Sequence, residues 1–326
     1  MVWPKIVTLT LNPAVDRAGK VQKLLPGEKL RCFDEHCHPG GGGINVARAL
    51  TRFGSETIAI FPAGGLTGAL LKRMIQAENV NFACIDVIGA TRENVSIFNL
   101  ADGAQYRFVF PGVEMLASDI QRAGDLALSH LTPGSYFVVS GSLPPGAPVE
   151  TYAKLVKQAS GKGAHVVLDS SGEMLVRSLG PALWLCKLNE TELEQITGAP
   201  VFDRERCIAA ARLLLTSGTQ LAAVTRGAKG ALLISLADAW AATAPTVHPV
   251  STVGAGDTFL AALLRAIARQ QNPEDALREA VAAGSAALLT EGTGLARPED
   301  VKALIPQVFV ESIHVVEPFP VAVPAP

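Results

Sequence analysis

Short β-branched runs alternate with amphipathic helical segments along most of this chain, and that alternation constrains the fold more than any other feature. Strand-like runs stand at Ile6–Leu11, Thr57–Phe61, Phe82–Asp86, Tyr136–Ser140, His165–Asp169, Leu183–Cys186 and Leu221–Thr225. Between them the spacing predicts helices at Asn45–Phe53, Gly68–Glu78, Asp119–His130, Val149–Lys162, Glu190–Thr197 and Arg204–Thr216. Strands alternating with helices of this length form βαβ units, which build a mostly parallel sheet with helices on both faces. Runs such as Phe137-Val138-Val139 are apolar throughout, as strands covered on both sides must be. With 48% hydrophobic and 18% charged residues over 326 positions, there is ample material for such a core.

Two stretches break the alternation. Glu28–His36 and Val95–Phe110 are patterned as strands without an intervening helix, and Ala101-Asp102-Gly103 marks a hairpin turn in the second. They are expected to form a small antiparallel β lid, discontinuous in sequence. Residues 17–38 and 92–111 then belong to the lid, and 1–16, 39–91 and 112–308 to the α/β domain. A small sheet with an open apolar face needs a cover, either substrate or a second subunit. Residues 309–326 are expected to form a flexible tail, because Val315–Pro326 is rich in proline and cannot continue a helix.

Charge and cysteine usage exclude several classes. Lys and Arg number 28 against 30 Asp and Glu, a net charge of −2, with no basic tract to attract nucleic acid or an anionic membrane. No apolar stretch reaches the ~18 residues needed to span a bilayer. Five irregularly spaced cysteines and no signal-peptide pattern fit a cytoplasmic protein. Cys32, His36, Cys37 and His38 suggest zinc, but in a strand alternate side chains face opposite ways and four ligands would not converge.

Three motifs carry chemistry. Gly40–Gly43, followed by Ile44-Asn45, lets the backbone pass very close to another group before a helix begins near Ile44, with Asn45 offering hydrogen bonds to a sugar; a flexible loop is the alternative. Gly41 and Gly42 lie at the centre of that run. The second motif, Ser251–Thr258, places Gly254, Ala255 and Gly256 at a helix start, where backbone N–H groups and the helix dipole bind anions. Asp257 beside such an anion hole can deprotonate a hydroxyl attacking a phosphoryl group; a simple helix cap is the alternative. Neither a P-loop nor a dinucleotide fingerprint is present. Third, Asn189 and Glu192 follow a strand three residues apart, able to hold hydrated Mg²⁺ or to cap the helix. Lys29, Arg31 and Arg92, in or beside the insertions, are candidates for an anionic substrate, or solvated surface charge.

These motifs, with Asn12-Pro13-Ala14-Val15-Asp16 after the first strand, occur in the order seen in the ribokinase/PfkB family of carbohydrate kinases. The chain resembles that family to about Ile305, and most of all its 6-phosphofructokinase branch, through stretches such as Pro39–Ala49, Ile60–Gly65, Gln105–Val109, Ser140–Gly146 and Val281–Ala287. The resemblance implies a ribokinase-like fold and ATP-dependent phosphorylation of the 1-hydroxyl of fructose 6-phosphate. It implies Asp257 as general base and Gly254–Gly256 as anion hole. Asp16 and Asn45 would bind sugar hydroxyls, and Lys29, Arg31 and Arg92, with Ser140, the substrate phosphate. Lys187, Asn189 and Glu192 would face ATP and Mg²⁺, while Thr225, Arg226, Gly227 and Gly230 would shape the nucleotide pocket. It also implies a homodimer through the lids and K⁺ near Ser251, Val253, Ala287 and Gly292. Family members of other specificity, acting on fructose 1-phosphate or tagatose 6-phosphate, usually carry Lys where Gly42 stands. A non-catalytic sugar-phosphate sensor on the same fold is disfavoured by the intact Asp257. Two departures stand out: Leu188 replaces the family proline between Lys187 and Asn189, and Thr290 and Gly294 replace an Asn and an Arg.

Overall fold

The computed structural model describes residues 3–313. The chain begins the main sheet with β1 (Ile6–Leu9), leaves it for β2 (Ala14–Val21) and β3 (Phe33–Gly40), and returns through α1 (Gly42–Arg52) and β4 (Thr57–Ala63). After α2 (Gly65–Ala77) and β5 (Phe82–Asp86) it leaves again for β6 (Arg92–Asn99) and β7 (Gln105–Phe108). The body continues with α3 (Ala117–Ser129), β8 (Tyr136–Ser140), α4 (Thr151–Gly161), β9 (His165–Asp169), α5 (Gly172–Ser178) and β10 (Leu185–Asn189). Then follow α6 (Glu190–Thr197), α7 (Arg204–Leu215), β11 (Leu221–Thr225), β12 (Ala231–Ile234) and β13 (Ala239–Ala242). Three helices, α8 (Ala255–Ala268), α9 (Pro273–Ala287) and α10 (Pro298–Leu304), precede β14 (Val310–Ile313).

The main sheet has ten strands in the order β14-β13-β12-β11-β10-β9-β8-β1-β4-β5. Neighbours from β11 to β5 run parallel, and β12, β13 and β14 extend that edge antiparallel. Because side chains alternate across a strand, Phe137 and Val139 pack into the layer with Tyr152 and Leu155, while Val138 joins Leu260 and Leu264 of α8 on the other face. Both faces are therefore apolar, and the polar ends of the parallel strands are left to build a site.

The small sheet has the order β3-β2-β6-β7; it is antiparallel at β2–β3 and β6–β7 and parallel at the central β2–β6 seam. Its hairpin turns at Leu100–Gly103, where Ala104 N–H donates to Asp102 and Gly103 has φ 71°. Three expectations need correction. The first insertion was expected to be a strand over Glu28–His36, but the strand is Phe33–Gly40, so Lys29 and Arg31 lie exposed in the preceding loop. Pairing with β2 sets that register, and alternation alone cannot report it. The small sheet also begins earlier than position 17, so Asp16 stands on β2 itself. Finally, residues 310–313 do not hang free: they pair with β13 as the edge strand β14. The rest of the expected tail, residues 314–326, lies outside the described residues.

The lid is clasped to the body at one loop. Lys20 Nζ lies 2.6 Å from Asp34 and 2.8 Å from Glu291, and His36 Nε2 lies 2.6 Å from Glu291. Next to Glu291, the Gly292 carbonyl accepts from Ser251 Oγ, and the Thr293 carbonyl accepts from Arg48.

Candidate active site

The glycine run is explained by what each added Cβ would strike. At Gly40 it would fall on the Asp16 carboxylate, at Gly42 on Ser140 Oγ, and at Gly43 it would crowd Thr10 and Leu9. Gly41, with φ 110°, would collide with Thr10. The backbone is thus thinned to admit the chain's own polar side chains. Helix α1 starts at Gly42, two residues earlier than expected, and turns Asn45 inward, where it is buried.

Asn45 donates from Nδ2 to Asp257 Oδ2 at 2.9 Å, joining α1 to the first turn of α8. That turn follows Gly254, whose φ of 79° makes the abrupt entry into the helix. The N–H groups of Ala255, Gly256 and Asp257 precede Thr258, the first residue whose N–H donates within the helix, to the Gly254 carbonyl, and are available to an anion. Burial raises Asp257 to about 6, Asp169 pushes in the same direction, and Lys187 and Asn45 oppose them. A carboxylate held there can take up a proton close to neutral pH.

Lys187 reaches the same place from the end of β10. Its Nζ pairs with Asp169 Oδ1 at 2.9 Å and would stand 2.9 Å from a Cβ on Gly256. Burial pulls its pKa down, but Asp169 and Asp257 outweigh that and the net shift is upward, so the ammonium stays charged. Asp169 also accepts from Ser140 Oγ at 3.3 Å. The sequence reading did not single out Asp169. The available signal was its place at the carboxyl end of an apolar parallel strand, where open α/β sheets build their sites.

The lid contributes the opposite wall. Asp16, Asn94 and His38 are cross-strand neighbours in register, and Asn94 donates to Asp16 Oδ1 at 2.8 Å. Burial raises Asp16, while Asn94, Arg107 and Arg92 moderate the shift. Asp16, Asn94 and Arg107 line one cleft with Val253 and Thr293 of the body. Asn94 and Arg107 were also missed; Asn94 lies two residues from Arg92 and so shares its strand face. Arg92 donates to the Asn12 and Phe110 carbonyls at 2.9 and 2.7 Å, its buried Nε has no partner among the described residues, and burial lowers its pKa. A guanidinium held by carbonyls, with no carboxylate in contact, retains its positive charge for a ligand.

Other candidates are in local use. Asn189 and Glu192 form a reciprocal capping box, with Glu192 N–H donating to Asn189 Oδ1 at 2.9 Å and Asn189 N–H to Glu192 Oε2 at 2.8 Å. Glu192 keeps its other oxygen, and burial raises its pKa. Arg226 Nε pairs with Glu190 at 2.8 Å, Thr225 closes β11, and Gly227 and Gly230 adopt φ 56° and 94°. A Cβ at Gly230 would overlap the Ala242 carbonyl. In the loop expected to hold K⁺, Ser251 and Gly292 touch, whereas the Ala287 carbonyl accepts from Thr290 Oγ1 at 2.9 Å. Among the described residues, Lys29 and Arg31 make no ion pair. Asp34, His36 and Glu291 have metal-type ligand atoms within 4.8 Å of one another, but Lys20 already sits between the two carboxylates. No described helix is long and apolar enough to cross a membrane.

The chain is similar to known proteins along most of its length. The model of the pfkB family carbohydrate kinases matches residues 7–300. The ATP-dependent 6-phosphofructokinase isozyme 2 of Escherichia coli is 37% identical over 302 residues, covering 92% of this chain and 97% of that protein. The 1-phosphofructokinase of Vibrio cholerae is 32% identical, covering 95% of this chain and 98% of its own length. The crystal structure of phosphofructokinase-2 from Escherichia coli in complex with substrates and products superposes with a TM-score of 0.89 at 36% identity, covering 93% of this chain and 99% of that one. The fold is the ribokinase-like α/β fold. The chain belongs to the pfkB family of carbohydrate kinases, enzymes that phosphorylate a sugar hydroxyl.

Proposed function

We propose that the protein transfers the γ-phosphoryl group of ATP to the 1-hydroxyl of fructose 6-phosphate. The observation that carries the reading is the Asp257 carboxylate, half-buried at the N-terminus of α8, bonded to Asn45 and adjoining Lys187. In this reading the substrate alcohol meets Asp257, which accepts its proton as the oxygen attacks phosphorus. The N–H groups of Gly254–Gly256 and Lys187 stabilise the charge on the phosphoryl group in transit. Asp16 and Asn45 orient the sugar hydroxyls. Arg92 binds the 6-phosphate, with Ser140 and the loop cations Lys29 and Arg31 as further candidates.

The donor set suits Mg²⁺ held through water: Glu192 retains a free carboxylate oxygen near Lys187 and Asp169, while Asn189 Oδ1 is committed to the cap. When bound, Mg²⁺ neutralises nucleotide phosphate charge. Uncharged oxygens at Ser251, Val253 and Gly292 suit K⁺; the Gly292 and Ala287 carbonyls would have to share their bonds to Ser251 and Thr290. Thr225, Arg226, Gly227 and Gly230 shape the nucleotide side. Phe33, Tyr106 and Phe108 are exposed on the lid, which supports a homodimer formed lid to lid.

Phosphorylation of fructose 1-phosphate is the second reading, favoured by the Vibrio cholerae relative; tagatose 6-phosphate is a third acceptor to compare. The deciding experiment is a coupled ADP-release assay with all three sugar phosphates and unphosphorylated sugars side by side. Fructose 6-phosphate is expected to give the highest kcat/KM. A preference for fructose 1-phosphate would move the assignment to the second reading, and no ADP release with any sugar would overturn it.

A further inference from the structure

Arg48 is a fully buried arginine on α1, outside every role assigned above. Its Nη2 pairs with Glu78 at 2.6 Å, and its Nε donates to both Glu78 oxygens at 3.0 Å. Its Nη1 serves three acceptors: the Pro39 carbonyl at 3.0 Å, Asn45 Oδ1 at 3.1 Å and the Thr293 carbonyl at 3.1 Å. Burying a guanidinium is expensive, and an apolar side chain would fill the same volume without the desolvation penalty. The pattern of Nη1 contacts suggests what the charge does there.

A guanidinium only donates hydrogen bonds, and an ionised carboxylate only accepts them. Asn45 lies between one of each, with Arg48 on its oxygen and Asp257 on its nitrogen. If the amide turned over, Nδ2 would face the guanidinium and Oδ1 would face the carboxylate, and both contacts would become repulsive. Arg48 therefore locks the only amide orientation that donates to Asp257. The same Nη1 holds the Pro39 carbonyl near the end of the lid strand β3, so the base of that strand, the Asn45 amide and the 291–293 loop share one anchor. We infer that Arg48, backed by Glu78, is a positioning residue that orients Asn45 and, through it, Asp257. This inference rests on the kinase reading of Asp257.

The test is a double-mutant cycle on the full chain, assayed with ATP and fructose 6-phosphate, using Arg48→Met, Asn45→Ala and the pair. Arg48→Met is expected to lower kcat by about 10- to 100-fold, the scale of one charge-assisted hydrogen bond, and to leave KM for ATP within about two-fold. In the Asn45→Ala background the same change is expected to lower kcat by less than about two-fold, because its route of action is gone. Additive losses in an active enzyme, or a parallel rise in KM for ATP, would overturn the inference and leave a purely structural ion pair. If thermal melts show Arg48→Met unfolded, Glu78→Gln takes its place in the same cycle: it keeps the guanidinium but frees it from its carboxylate, and the same non-additivity is expected. An unmodified chain that released no ADP with any sugar phosphate would overturn the kinase reading and the inference together.

Discussion

The Lys187 ammonium occupies the space that a side chain on Gly256 would need, 2.9 Å from the position of its Cβ. The glycine therefore serves proximity: it lets a cation from β10 press against the first turn of α8. Gly256→Ala is expected to displace the lysine tip and lower kcat by roughly 10-fold. Thermal stability should change by less than about 1 kcal/mol, because the helix preference of alanine is set against the disturbed Lys187–Asp169 pair. Steady-state kinetics and a melting curve check both halves.

Asp257→Asn is expected to reduce turnover by on the order of 10²–10⁴-fold, the range for a lost general base, with binding of sugar phosphate and ATP retained by calorimetry. The carboxyl is raised above its unfolded value, so its contribution to stability is fully present below pH ~4 and disappears as pH rises through about 6. The neutral amide keeps that contribution at all pH values. The variant should therefore melt above the parent at pH 7.5 and close to it near pH 4.

Turnover of the unmodified chain is expected to fall as pH drops through about 6, where Asp257 takes up a proton. Asp169 helps to raise that value, so Asp169→Asn should move the acid limb of the kcat profile to lower pH. An acid limb that stayed in place would separate Asp169 from the titration of the base.

Arg92→Ala is expected to raise KM for fructose 6-phosphate by at least about 10-fold and to change KM for ATP by less than about two-fold, as loss of one charge-assisted phosphate contact predicts. Equal effects on both substrates would remove Arg92 from the sugar-phosphate side.

The parallel core was legible because strands such as β5, β8, β9 and β11 are apolar on both faces and closed by polar residues, and their ranges match the expected ones residue for residue. Asp257 and Asn45 drew attention because each opens a helix behind a glycine run, and the structure brings the two into contact at 2.9 Å. Arg48, Asn94 and Asp169 were not legible, since the charge that holds each in place comes from 18 or more residues away: Glu78, Asp16, and Lys187 with Ser140. The β3 register was likewise hidden, because it is set by pairing with β2 through an irregularity between Ala18 and Lys20.

Glu291 gives the clasp a mechanical meaning. Lys20 and His36 grip it from the lid, and the next two residues are moored to Ser251 and Arg48. An outward swing of the small sheet must therefore either part those contacts or tug the segment that runs from Ser251 into the first turn of α8, so the position of the sheet and the geometry of that helix end depend on the same three residues.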